Sequence, residues 1–183
     1  QLKNALALCR RNLHLDKQGD RALQNQFSKI IAGVMAFMLP TMTWAMDNPA
    51  QLTVLEGWRQ ADGSHIAAIR LDLDKGWKTY WRAPGDAGIP PYFDLLGSSN
   101  IVDFNVDWPA PVVFDQSGLW SVGYKDMVIF PMHITPRKPN RDIRLKGAIE
   151  VGICKDICVP ISLDIDAVLA ADVTQKDATI SAA

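Results

Sequence analysis

The chain has 183 residues, the length of one domain with an additional segment, and its formal net charge is −1. Residues 1–45 carry six Lys/Arg and two Asp/Glu, whereas residues 46–183 carry thirteen and eighteen, a net charge of −5. Nucleic-acid binding depends on a basic surface, so the acidic larger part speaks against that class of function.

The N-terminal part has the sequence pattern of a targeting signal. Lys29 precedes an apolar run over residues 30–39, and Thr43 and Ala45 supply small residues at the −3 and −1 positions of a cleavage site. Only 17 uncharged residues follow Lys29, fewer than the roughly 20 that a membrane-spanning helix needs. We therefore expect an N-terminal extension and a signal peptide cleaved near Ala45, rather than a membrane anchor. Export places the domain in an oxidising compartment, where disulfides persist.

Strand-like alternation recurs after the signal. Apolar and polar residues alternate over 67–73 and 102–108, and the run 127–132 is apolar on both parities, as in a strand covered on both faces. Gly, Pro, Asn and Asp residues separate these segments, as turns require. Many short strands with regular turns predict an all-β antiparallel sandwich over residues 46–173. The polar tail over 174–183 is expected to be frayed or a linker.

Two aromatic stretches stand out. By parity, Trp77 and Trp81 share one strand face and predict a core pair, while Tyr80 lies on the other face with charged neighbours and is a site candidate. The second stretch, from Phe114 to Tyr124, is a glycine-containing loop with several aromatic residues. It either covers a site or packs against a sheet edge, and the sequence leaves both interpretations open.

Cys154 and Cys158 are the cysteines that remain after the signal, and three residues separate them. The apolar sets on either side are Ile143, Leu145, Ile149, Val151 and Ile153 upstream, and Ile157, Val159, Ile161, Leu163 and Ile165 downstream. Both cysteines have the opposite parity, which predicts a pair at a hairpin tip, off the core. A bridge needs Cα atoms about 4.4–6.8 Å apart, whereas four extended steps span roughly 13 Å, so we expect a tight, helix-like turn.

Three functions are open for this pair. A structural disulfide would close only a small loop, worth roughly 2 kcal/mol in the chain-entropy model. A zinc site needs four ligands, whereas only His65 and His133 follow the signal, both isolated; a copper(I) site would combine cysteine with Met132. Reversible thiol–disulfide exchange suits a strained, accessible bridge, which is more readily reduced than a buried one. Exchange is the favoured hypothesis.

The segment Gly152–Pro160 resembles the active-site hairpin in the N-terminal periplasmic domain of DsbD, the bacterial thiol:disulfide interchange protein, and more closely that of DsbD-like and ScsB-like domains. Gly76–Pro91 and Ser121–Asp126 fit the same pattern in the same order, so the resemblance covers residues 51–170. It implies an immunoglobulin-like sandwich in the periplasm. It also implies that the redox group is the Cys154–Cys158 disulfide itself, with no further cofactor and no metal.

The resemblance further implies residue roles and partners. Cys158 would form the mixed disulfide with a partner, and Cys154 would resolve it. Candidates for a cap over the disulfide or for partner contact are Tyr80, Phe114, Leu119, Trp120 and Tyr124. Expected electron donors are thioredoxin-like proteins and a DsbD-type membrane electron carrier, and the expected acceptor is a periplasmic disulfide isomerase or a similar protein. Neither nucleic acid nor a small-molecule substrate is expected.

The chain departs from the family prototype in two respects. The prototype spaces its cysteines more widely, and it continues into a transmembrane carrier and a thioredoxin-like domain that do not lie within these 183 residues. The chain is therefore expected to be part of a longer protein or a module that depends on a separate membrane reductase. The favoured function is a component of a protein-disulfide reductase. The rival is a non-catalytic adaptor or copper-handling sandwich with a structural disulfide.

Overall fold

The computed structural model describes residues 48–116 and 118–183, and most of them lie in β-strands. The elements are β1 (Ala50–Arg59), β2 (His65–Leu73), β3 (Lys78–Gly85), β4 (Tyr92–Asp94), β5 (Ile101–Val106), β6 (Val112–Gln116), β7 (Leu119–Lys125), β8 (Met127–Pro136), β9 (Ile143–Cys154), β10 (Cys158–Leu169) and α1 (Ala178–Ser181). The predicted signal peptide and its cleavage site near Ala45 lie outside the described residues. In the described part, no helix is long and apolar enough to cross a membrane.

The strands form two antiparallel sheets. The four-stranded sheet has the order β1-β2-β8-β5, and the six-stranded sheet has the order β10-β9-β3-β7-β6, with β4 also paired to β9. At the centre of the core, the ring centroid of Phe130 lies 5.7, 5.4 and 5.5 Å from those of Phe93, Trp108 and Tyr124. The prediction of an all-β, immunoglobulin-like antiparallel sandwich is confirmed.

The predicted alternation holds along most of the core. The five apolar residues of one parity between Ile143 and Ile153 are at most 1% exposed, and Trp77 and Trp81 pack against the same core. Two residues depart from the pattern. Ile157 lies in the loop between β9 and β10, so it is exposed. Val102 is exposed because the pairing of β5 with β8 shifts register at this residue, which turns its side chain outward.

Strand β8 is covered on both faces, as its sequence predicts. Phe130 faces the main core, while Ile129 faces outward into a second cluster. That cluster consists of Trp58, Ile66, Ala68, Ile129 and Ile180. Ile180 belongs to α1, whose N-cap residue Asp177 accepts hydrogen bonds from the backbone N–H groups of Thr179 and Ile180. The expectation of a frayed tail is therefore wrong for α1, because Ile180 is buried.

His65 of β2 is a buried histidine held by one hydrogen bond. Its Nε2 atom donates to the Glu56 carbonyl oxygen at 2.6 Å, whereas Nδ1 has no partner among the described residues. Burial lowers the pKa of His65 below its ordinary value; the hydrogen bond to Glu56 opposes this shift, and the positive charge of Arg59 adds to it. Folding therefore favours the neutral form of this ring.

We expect the free energy of unfolding to fall as the pH is lowered through the ordinary histidine range. Because the folded-state pKa is depressed, the unfolded chain binds a proton there that the folded chain does not. Stability should be highest above about pH 7.5 and lower at about pH 5.5, as urea unfolding can measure. His65→Gln, which keeps an N–H donor for Glu56, should flatten this decline, and His133→Gln, at an exposed site, should retain it. An equal decline in His65→Gln would contradict the expectation.

Candidate functional site

The two cysteines face each other at the end of the β9–β10 hairpin. Cys154 ends β9, Cys158 begins β10, and they form a disulfide with Cα atoms 4.2 Å apart. Between them, the Lys155 N–H group donates to the Ile157 carbonyl oxygen at 3.2 Å. The expected helix-like turn is wrong, because antiparallel pairing continues to the cysteines themselves. Residues directly opposite each other in such a ladder already have Cα atoms about 4.5–5.5 Å apart.

The two sulfurs differ in exposure. The cysteines lie on the outer face of the six-stranded sheet, opposite to the core residue Ile153, as their parity predicts. Cys154 is nevertheless 0% exposed, because it forms a small cluster with Tyr80 and Phe114 that is separate from the main core. Cys158 is exposed. A reactant arriving from solvent can therefore reach Cys158 but not Cys154.

The hydroxyl group of Tyr80 lies against both sulfurs. Its Oη atom is 2.7 Å from Cys154 Sγ and 3.2 Å from Cys158 Sγ, and it donates to Gln116 Oε1 at 3.0 Å. Burial raises the pKa of Tyr80 above its ordinary value, and the hydrogen bond with Gln116 opposes this shift. The hydroxyl therefore stays protonated at neutral pH; its single proton goes to Gln116 Oε1 in the oxidised protein and can turn to sulfur once a thiolate forms.

Two glycines leave room for the ring of Tyr80. A Cβ atom on Gly152 of β9 would lie 2.7 Å from Ile89 Cβ and 3.2 Å from Tyr80 Cδ2, and one on Gly88 would lie 2.5 Å from Tyr80 Cδ1. A Cβ atom on Gly88 would clash with the ring itself, and one on Gly152 would clash with Ile89 and press on the ring, so glycine at both positions keeps the slot open. The predicted segment Gly76–Pro91 thus supplies both Tyr80 and part of the slot that holds it.

Strand β6 supplies the remaining contacts to the disulfide. Phe114 is buried, with its ring centroid 6.3 Å from that of Tyr80, and Gln116 Nε2 donates to Cys158 Sγ at 2.8 Å. Gln116 is absent from the candidates predicted from the sequence. Alternation could have found it, because Gln116 follows Phe114 by two residues in one strand and therefore shares its face.

The other candidates divide between the surface and the core. Leu119 and Trp120 begin β7 and are 46% and 62% exposed. Tyr124 lies in the main core, where its hydroxyl donates to the Pro109 carbonyl oxygen at 3.0 Å and burial raises its pKa to about 12. The prediction that Tyr124 caps the disulfide or meets a partner is therefore wrong. Tyr124 is on the inner face of the six-stranded sheet, whereas Tyr80 is on the outer face.

The side chains considered for a copper site do not converge. His133 Nε2 pairs with Asp107 Oδ2 at 2.8 Å on the exposed face of β8, whereas Met132 is fully buried in the core. Within residues 48–116 and 118–183, no group of three or more His, Cys, Asp or Glu side chains could hold a metal ion.

The antiparallel sandwich carries its cysteine pair on an outer sheet face with one sulfur exposed, an arrangement that fits a thiol–disulfide exchange domain. The family described as "Thiol:disulfide interchange protein DsbD, N-terminal" matches residues 50–170, and the chain belongs to this family. The resemblance seen in the sequence is thereby confirmed. The redox group of the family is the cysteine pair of the protein itself.

Two solved structures are similar to the chain. The N-terminal periplasmic domain of ScsB from Proteus mirabilis has 25% sequence identity and a TM-score of 0.57, over 70% of this chain and 49% of that chain. The reduced N-terminal domain of DsbD from Neisseria meningitidis has 13% identity and a TM-score of 0.31, over 65% and 82%. This chain thus spans about half the length of the ScsB domain. Among curated proteins, no sequence matches the chain.

Proposed function

We propose that the chain is a periplasmic module that relays electrons through the Cys154–Cys158 pair, as a component of a protein-disulfide reductase. The observation that carries this proposal is the asymmetry of the disulfide, with Cys158 exposed and Cys154 buried beneath Tyr80 and Phe114. A purely structural bridge does not require one sulfur to face solvent. Membership of the DsbD N-terminal family supports the same function.

The chemistry assigns unequal roles to the cysteines. A partner thiolate attacks Cys158 Sγ, a bond forms between the two proteins, and the Cys154–Cys158 bond breaks. The electron pair of the broken bond goes to Cys154 Sγ, which becomes a thiolate. A second partner thiol then attacks the mixed disulfide and leaves both cysteines reduced. In the reverse direction, Cys158 attacks the disulfide of an acceptor and Cys154 resolves the intermediate.

Two groups of side chains on β6 and β7 are the candidates for the cap and for partner contact. Phe114 and Gln116 contact the pair and act as its cap, Phe114 over Cys154 and Gln116 over Cys158. Leu119 and Trp120 at the start of β7 are exposed apolar side chains that a docking partner would cover. In this proposal Phe114 and Gln116 cap the disulfide in the resting protein, whereas Leu119 and Trp120 provide the contact with a partner.

The proposed partners are those expected for a member of this family. Electrons arrive from a thioredoxin-like protein or a membrane carrier of the DsbD type and pass to a periplasmic disulfide isomerase or a similar disulfide-bearing protein. Periplasmic location agrees with that of the ScsB relative, which is a periplasmic domain. The acidic charge of residues 46–183 gives no support for nucleic acid as a partner.

Exchange with a thioredoxin tests this proposal. The oxidised chain is mixed with reduced thioredoxin as the probe, and free thiols are alkylated with a reagent that changes gel mobility. We expect both Cys154 and Cys158 to become alkylated while the thioredoxin becomes oxidised. A chain that keeps its disulfide in excess reduced thioredoxin, yet is reduced after unfolding, would contradict the proposal.

A further inference from the structure

Four residues form one row across the outer face of the six-stranded sheet. Cys158 of β10 is directly opposite Cys154 of β9, Cys154 is opposite Lys78 of β3, and Lys78 is opposite Lys125 of β7. Residues that are directly opposite in neighbouring antiparallel strands point to the same face, with Cβ atoms about 4.5–5.5 Å apart. The row that begins with the two cysteines therefore continues across the sheet with two lysines.

The two lysines are an unfavourable pair in the oxidised protein. Like charges directly opposite each other destabilise a sheet. Within residues 48–116 and 118–183, neither Lys78 nor Lys125 forms an ion pair with a carboxylate. Both ammonium groups lie over the ring of Phe114, with Nζ 4.9 and 5.8 Å from its centroid, so the aromatic face offsets part of the repulsion. The same Phe114 ring covers Cys154.

We propose that Lys78 stabilises the thiolate that forms on Cys154 when the disulfide opens. This inference rests on the proposed function, since an anion forms on Cys154 only if the bridge is broken. The step needs no other reactant: the partner thiolate bonds to Cys158 Sγ, and the electron pair of the S–S bond leaves on Cys154 Sγ. That sulfur is shielded from water, so groups within the protein must stabilise its negative charge.

The groups around Cys154 favour an anion. Tyr80 Oη, 2.7 Å from Cys154 Sγ, can turn its proton from Gln116 to the thiolate. Lys78 lies directly opposite Cys154 on the adjoining strand β3. Lys125 is one strand further away in the same row. In the hairpin loop, the exposed Lys155 and Asp156 carry opposite charges. The role of Lys78 is therefore electrostatic: its positive charge stabilises the Cys154 thiolate across the sheet, and Lys78 does not act on the partner.

Two measurements on a charge-removing variant test this role. The first is the thiolate fraction of the Cys154 thiol at neutral pH, followed by ultraviolet absorbance in a Cys9→Ala/Cys158→Ala background. The second is the equilibrium constant for reduction of the intact Cys154–Cys158 disulfide by glutathione. An opposite charge at close range shifts a thiol equilibrium by about tenfold or more, so Lys78→Met should lower both quantities about tenfold. Lys78→Arg, which keeps the charge, should restore both quantities to within about twofold.

Lys146→Met is the matched control. Lys146 lies on the same strand and face as Cys154, eight residues away, so the variant removes the same charge at a distance of about 26 Å. Both quantities should be unchanged in Lys146→Met. Equal values for Lys78→Met and the wild-type protein would overturn the inference, as would an equal loss in Lys146→Met. Neither measurement uses a partner protein, so failure of the exchange with thioredoxin would count against the proposed function alone.

Discussion

Replacing Cys154 with alanine is expected to trap a mixed disulfide through Cys158, and replacing Cys158 with alanine is expected to abolish trapping. The first variant keeps the exposed sulfur, so a partner disulfide can be attacked, and lacks the buried thiol that would resolve the product. The second variant keeps only a thiol that Tyr80 and Phe114 cover. The expected difference is between nearly complete and negligible trapping.

The trapping measurement needs a partner that cannot resolve the bond itself. A thioredoxin that retains only its attacking cysteine, activated as an aromatic disulfide, meets this requirement. Non-reducing gels and mass spectrometry then measure the covalent complex formed by each single-cysteine variant. The double variant Cys154→Ala/Cys158→Ala controls for other reactions. Trapping that is as efficient through Cys154 as through Cys158 would contradict the assigned roles.

Replacing Tyr80 with phenylalanine is expected to slow the opening of the disulfide by about tenfold to a hundredfold. The substitution removes the hydroxyl that lies 2.7 Å from Cys154 Sγ, the atom that becomes a thiolate. Hydrogen bonds to charged groups contribute about 1.5–3 kcal/mol, which corresponds to this range of rates. The phenylalanine ring still fills the slot between Gly88 and Gly152, so the fold should be retained.

Rates of reduction by dithiothreitol and by reduced thioredoxin measure the effect of Tyr80→Phe. Tyr92→Phe is the matched control, because Tyr92 of β4 is 61% exposed and lies opposite Glu150, which is about 13 Å along β9 from Cys154. A rate within about twofold of the wild-type rate for Tyr80→Phe would show that the hydroxyl does not assist the leaving sulfur. Unfolding curves for both variants establish that stability is not the cause of a slower reaction.

Local patterns in the sequence suffice for those features that depend on a single strand. The alternation from Ile143 to Ile153 predicts the core face of β9, and the same alternation places Cys154 on the opposite face. Tyr80 is predicted as a site residue because its parity places it on the opposite strand face from Trp77 and Trp81. Each of these inferences needs only the period of two along an extended chain.

Features that depend on pairing between strands could not be predicted. Cys154 is buried because β6 brings Phe114 over it, and Gln116 reaches Cys158 for the same reason. The turn between the cysteines follows from the register of β9 with β10, which the spacing of three residues does not specify. Tyr124 is a core residue because the register of β7 with β3 sets it opposite Thr79 rather than Tyr80.

The C-terminal tail illustrates a different limit. Its polar composition predicts a frayed segment, yet the single residue Ile180 is buried on the outer face of the four-stranded sheet. Ile180 is buried there against Trp58 and Ile129, which lie far away in the sequence. One apolar residue in a polar segment carries no periodicity from which such contact could be predicted.

The central claim is that the Cys154–Cys158 disulfide is a redox-active pair rather than a structural bridge. Its reduction potential, measured by equilibration with glutathione and thioredoxin, tests this claim most directly. A value between about −120 and −270 mV, the range of catalytic pairs, is expected. A value below about −300 mV, typical of structural disulfides, would contradict the claim.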